Sequence, residues 1–89
     1  MEQEKLVGKV SHFFDQAMVA AIKLDSALSV GDTIRLKTKN DEVAETTITS
    51  MQADHKDIDT GRGGEEIAIK VSEKVKVGTE VYKVTQLPG

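Results

Sequence analysis

No cysteine occurs among the 89 residues, so neither a disulfide framework nor a thiolate zinc site can be built, which fits a reducing compartment. No apolar run is longer than Ala17 to Ile22, which Lys23 closes and which is far too short to cross a bilayer. The opening Met1-Glu-Gln-Glu-Lys5 has neither the basic nor the apolar segment of a secretory leader. A cytoplasmic protein without membrane contact is the expectation. An excess of positive charge is missing too: 12 Lys and Arg against 15 Asp and Glu give a net charge of −3. That balance disfavours tight, nonspecific binding to phosphate backbones, although a locally basic face stays open. No Gly-x-x-x-x-Gly-Lys-[Ser/Thr] is present, so GTP binding by this chain is not expected. Proline occurs once, there is no linker or low-complexity stretch, and the length fits a single domain over residues 1–89.

Two phrases of the same grammar stand out instead, Leu28-Ser-Val-Gly-Asp-Thr-Ile34 and Val75-Lys-Val-Gly-Thr-Glu-Val81. Each approaches through apolar residues and turns at Gly31 or Gly78 into a strand. Glycine takes positive φ without steric cost, so these read as sharp structural turns, with the valine before each glycine expected in the interior. Asp32 to Thr38 alternates with Ile34 and Leu36 on one face. Glu66 to Val71 repeats this with Ile67, Ile69 and Val71 inward, and Glu80 to Val84 is a further strand. Leu6 to Phe14 carries apolar residues on both faces. Met18 to Leu24 is read as a strand, because it is short for a helix, lacks a capping box and follows the tight Asp15-Gln16 connection. Asn40 to Glu42 reads as a turn, and Val43 to Asp54 as one strand with a bulge near Thr49-Ser50, since Ile48 and Met51 break alternation. Thr60 to Gly64 reads as the most flexible connection. The expected fold is all-β: a small six-stranded antiparallel barrel, closed or nearly closed.

Candidate chemistry is sparse. Asp54-His55-Lys56-Asp57-Ile58-Asp59 gathers carboxylates and an imidazole, but without EF-hand spacing it reads as a solvated loop, and no metal or cofactor is expected. Gly61-Arg-Gly-Gly64 opens no helix and reads as a turn rather than an anion nest. His12, among Val10, Phe13 and Phe14, reads as a partly buried structural histidine. No nucleophile, base and orienting group form a set, so no catalytic residue is expected. Phe13 and Phe14 cannot both point inward from neighbouring strand positions, which marks this strand as a candidate interaction surface.

Taken in order, Val7-Gly-Lys-Val10, Ile22-Lys-Leu24, Leu28 to Leu36, Ile48 to Gln52, Gly64 to Val71 and Val77 to Val81 resemble the second-domain β-barrel of translation GTPases. The likeness covers nearly the whole chain and is strongest to small stand-alone elongation-factor-like proteins. Similar barrels are appended to some collagenase-like peptidases. In elongation factor Tu this barrel helps hold the aminoacylated tRNA end. The resemblance puts Gln52 where that factor has an adenosine-contacting glutamate, His55 where it has an arginine, and Ala68 where it has a glycine. It implies a noncatalytic module of the translation apparatus, touching tRNA, ribosome or a GTPase domain. Together with the residue readings above, the candidate binding residues are Gln52, His55, Lys56, Arg62 and Phe13, and the chain is expected to be a monomer. The alternative is a protein–protein adaptor barrel with no RNA role, and an enzyme comes a distant third.

Overall fold

The computed structural model describes residues 2–38 and 43–86, so the turn expected at Asn40 to Glu42 lies outside the described residues. Ten strands and no helix are found among them. In chain order they are β1 (Glu2–Phe14), β2 (Val19–Leu24), β3 (Leu28–Ser29), β4 (Thr33–Lys37), β5 (Val43–Thr47), β6 (Met51–Ala53), β7 (Lys56–Ile58), β8 (Thr60–Gly61), β9 (Glu66–Lys70) and β10 (Glu80–Gln86). Eight form one sheet in the order β5-β4-β10-β1-β2-β9-β6-β7, and β3 pairs with β8 in a second. Every pairing is antiparallel.

The all-β, antiparallel expectation holds, whereas the closed six-stranded barrel does not. The expected strand from Val43 to Asp54 is broken into β5 and β6 because Ile48 leaves the ladder, its N–H donating to the Asp32 carbonyl at 2.9 Å. Short pairings in segments read as loops supply β3, β7 and β8. The large sheet ends at β5 and β7. One core nevertheless takes side chains from both halves of that sheet, including Val10, Ile22, Ile34, Met51, Ile69 and Val81, so the sheet curls around a common interior.

Two irregularities explain why β1 looks apolar on both faces. Its register slips between Leu6 and Gly8 against β10, and between Val10 and His12 against β2. The second slip makes Ser11 the extra residue, so inward Val10 is followed by Phe13 against the core, while His12 and Phe14 face out. His12 is therefore exposed rather than the partly buried structural histidine expected: the bulge reverses the alternation that the sequence alone implied.

Gly31 and Gly78 each sit in a hydrogen-bonded four-residue turn, and Gly64 sits in a third. At Ser29–Asp32, Lys76–Thr79 and Arg62–Glu65, the fourth N–H donates to the first carbonyl at 3.0, 3.1 and 3.1 Å. The third residue of each is a glycine, with φ of 95°, 93° and 92° for Gly31, Gly78 and Gly64. This is the type II arrangement, in which the second residue forms the tip. Val30 and Val77 occupy tips and are exposed, contrary to the expected interior valines. The inward residues are Leu28 and Val75, two positions earlier. Each corner also clasps one buried apolar residue on another segment through two backbone hydrogen bonds. Gly31 N–H donates to Ile48 and Ile48 N–H to Asp32; Gly78 and Thr79 treat Val10 likewise, as do Gly64 and Glu65 for Leu24, all at 2.8–2.9 Å. The supposedly flexible Thr60–Gly64 connection is therefore a paired strand followed by a corner.

Candidate docking groove

One row of side chains crosses four of the sheet's ladders: His12 on β1, Ala21 on β2, Ala68 on β9, Gln52 on β6 and Asp57 on β7 are successive cross-strand partners. Ala21 and Ala68, in the middle, are the smallest, so the outer face sinks between His12 and Gln52. The result is a groove of about 420 Å³. Phe14 stands at one end, 54% exposed, with its ring centroid 6.4 Å from that of His12. Glu65 and Glu66 stand at the other end, and Asp54 and His55 overhang the side.

The overhang is a two-residue hairpin between β6 and β7 with both residues left-handed, at φ 52° for Asp54 and 64° for His55. That is the backbone of a type I′ turn, which matches strand twist but strains residues other than glycine. Gln52 donates its Nε2 to Asp57 Oδ1 at 3.1 Å, which holds the amide along the row. The Ser11 hydroxyl lies 2.6 Å from Glu66 Oε2 and 3.2 Å from the Ala21 carbonyl oxygen, so the bulged residue steadies the acidic end. No Lys or Arg lines the groove, while Asp54, Glu65 and Glu66 do.

Of the residues expected to bind, Gln52 and His55 meet in this groove. Lys56 and Arg62 are exposed but do not line it, and the Arg62 N–H is taken by Glu65 Oε1 at 2.7 Å. Phe13 packs inward, leaving its neighbour Phe14 as the accessible ring. Sequence reasoning missed His12, Ala21, Glu65 and Glu66 as groove residues, because only the bulge at Ser11 and the pairing of β2 with β9 bring them together. A larger opening of about 610 Å³ beside the first half of β1 contains Lys5 and Lys83, but Lys83 lies 3.5 Å from Asp32 and no aromatic ring joins them. Among the described residues no three His, Asp or Glu side chains are placed to hold a metal ion, and no helix is long and apolar enough to cross a membrane.

Charge on the opposite half of the sheet is tied up internally. Arg35 reaches Glu4 at 2.7 Å, Glu2 at 2.8 Å and Glu45 at 3.3 Å, and Lys37 reaches Glu4 at 2.6 Å with its ammonium 4.5 Å from the Tyr82 ring centroid. The Lys37 hydrogen bond, followed by that from Arg35, holds the Glu4 carboxyl below its ordinary value. Desolvation, then Glu80, raises the Tyr82 phenol.

No family model matches the chain. An uncharacterized protease of Methanocaldococcus jannaschii is 36% identical over 76 residues, covering 85% of this chain but only 19% of that protein. The same architecture recurs in crystal structures of the C-terminal domain of a Geobacillus thermoleovorans protein assigned to the U32 peptidases. One superposes with a TM-score of 0.83 at 15% identity, covering 89% of this chain and 91% of that domain. Its selenomethionine variant gives 0.81 at 14% identity, covering 86% and 96%. The chain shares its fold with that crystallised domain. The translation-factor resemblance, with the tRNA, ribosome or GTPase association it implied, is overturned by these relatives. The phrases that carried it are mostly corner turns and inward-facing strand residues. Such residues specify how a curled sheet turns and packs, and unrelated sites can be grafted onto it.

Proposed function

We propose that the chain is a noncatalytic docking module, an adaptor of the kind appended to peptidases, and that its outer-face groove meets a protein partner. The observation that carries this is the asymmetry of coverage: the match takes in most of this chain and less than a fifth of the M. jannaschii protease. A unit that recurs against a much larger body is naturally read as an accessory part. The crystallised C-terminal domain of the Geobacillus protein supports the same reading, since it reproduces the fold as a separate unit. The groove adds a surface suited to contact, because an exposed aromatic ring, small apolar floor residues and orienting polar groups converge there.

Affinity capture of the tagged chain from its native lysate, with and without ribonuclease, tests this together with a peptidase assay on casein. The expected result is nuclease-insensitive recovery of a discrete protein, lost when Asp54→Lys alters the groove, and no casein hydrolysis by the chain alone. Hydrolysis by the purified chain, or recovery that vanishes with ribonuclease, would overturn the proposal.

A further inference from the structure

The groove has a polarity of its own. Along the strands, Phe14 lies two residues beyond His12, and Glu66 lies two residues before Ala68 on β9, so the aromatic and acidic ends flank the alanine row from opposite sides. Two residues of extended chain span about 7 Å, which is also the spacing between same-side side chains of an extended peptide. The acidic end is not neutralised from within. Lys23 is the cross-strand partner of Glu66, yet it donates its ammonium to the Gly64 carbonyl at 2.8 Å, leaving Glu66 with the Ser11 hydroxyl. Glu65 Oε1 accepts the backbone N–H of Arg62, and Asp54 projects from a hairpin tip. With three carboxylates and no cation lining it, the groove complements positive charge.

Resting on the docking reading above, we propose that the groove receives an extended, arginine-bearing segment of the protein partner. The guanidinium lies against Glu66 and Asp54, and an apolar side chain on the same side of the peptide lies against Phe14. Arginine fits better than lysine because its planar fork bonds carboxylates in pairs.

The test uses amide NMR of the whole chain, titrated with a blocked Leu-Ser-Ala-Ser-Arg pentapeptide, whose Leu and Arg share one side about 14 Å apart when extended, and with its isosteric citrulline counterpart. Saturable shifts at His12, Ala21, Gln52, Asp54 and Glu66 are expected, with the citrulline peptide weaker by about tenfold, as befits loss of a charge-assisted hydrogen bond. Glu66→Gln should reproduce that loss for the arginine peptide. Asp54→Asn, which keeps a residue tolerant of the left-handed tip, should do the same without lowering the melting temperature. Equal binding of both peptides, or shifts that map elsewhere, would overturn the arginine assignment. If the assignment fails in this way while Asp54→Lys still abolishes capture of the partner, docking at the groove stands without it. If capture survives both Asp54→Lys and a groove-filling Ala68→Trp variant that melts normally, the docking reading itself has failed.

Discussion

Gly31, Gly64 and Gly78 have open space where a side chain would go, so substitutions there test backbone strain alone. At φ near 95° a β-branched residue is disfavoured on backbone grounds, and Gly31→Val or Gly78→Val should each cost about 1–3 kcal/mol in urea unfolding. Asparagine, which tolerates positive φ better, should cost less at the same sites. Gly8 presents the opposite case. Its backbone is not left-handed, but an added methyl would run into the Lys23 carbonyl oxygen on the neighbouring strand, so even Gly8→Ala should destabilise by about 2 kcal/mol or more. Should Gly31→Val and Gly78→Val leave the midpoint unmoved, the corner argument would be lost. His55 carries strain at the groove itself. Replacing it with glycine relieves a left-handed residue, and His55→Gly should raise stability by up to about 1 kcal/mol while weakening partner capture.

Among the elements, β4 is bound to its neighbours by charge as well as by its ladders. Arg35 links it to β1 across the intervening β10 and to β5 on the other side. Glu4 is the titrating member whose carboxyl is held below its ordinary value of 4.5. A depressed carboxyl stabilises the fold above its ordinary value, and that contribution is lost as pH falls through the lower folded value. The melting temperature should therefore fall as the solution is acidified below about 4.5, and Glu4→Gln should remove part of that slope. The effect should shrink in high salt, because the network is solvent-facing. An identical pH profile for wild type and variant would show the network to be incidental.

The same elements show what could be read from sequence. Strands β4, β9 and β10 were legible because Ile34 and Leu36, Ile67 and Ile69, and Val81 alternate with polar neighbours. The break at Ile48 was not: a residue that leaves one ladder to be clasped by the Gly31 corner remains apolar and inward, which looks like a bulge. Likewise the third corner was hidden because Gly61, Gly63 and Gly64 crowd together, and glycine density reads as flexibility. Half the groove was visible through Gln52 and His55. The other half depends on the bulge at Ser11, a register event with no residue signature.

For the whole molecule, the pairing that matters most joins its two ends. Glu2 lies opposite Gln86, and β10 sits between β4 and β1, so the last described strand completes the middle of the large sheet. Its Val81 is fully buried and lies across from Leu36 on one side and Gly8 on the other. Removing residues 80–86 would expose two strand edges in the centre of the sheet and open the core beneath Val81, at a cost comparable to the stability of a domain this small. The chain truncated after Thr79 should show no cooperative unfolding transition. Because that central pairing must wait for the ends to meet, the intact chain should fold in milliseconds to seconds rather than microseconds. Stopped-flow refolding distinguishes these outcomes. Submillisecond folding, or a truncated chain that still melts cooperatively, would mean that β1, β2 and β9 form an independent nucleus and that β10 merely covers it.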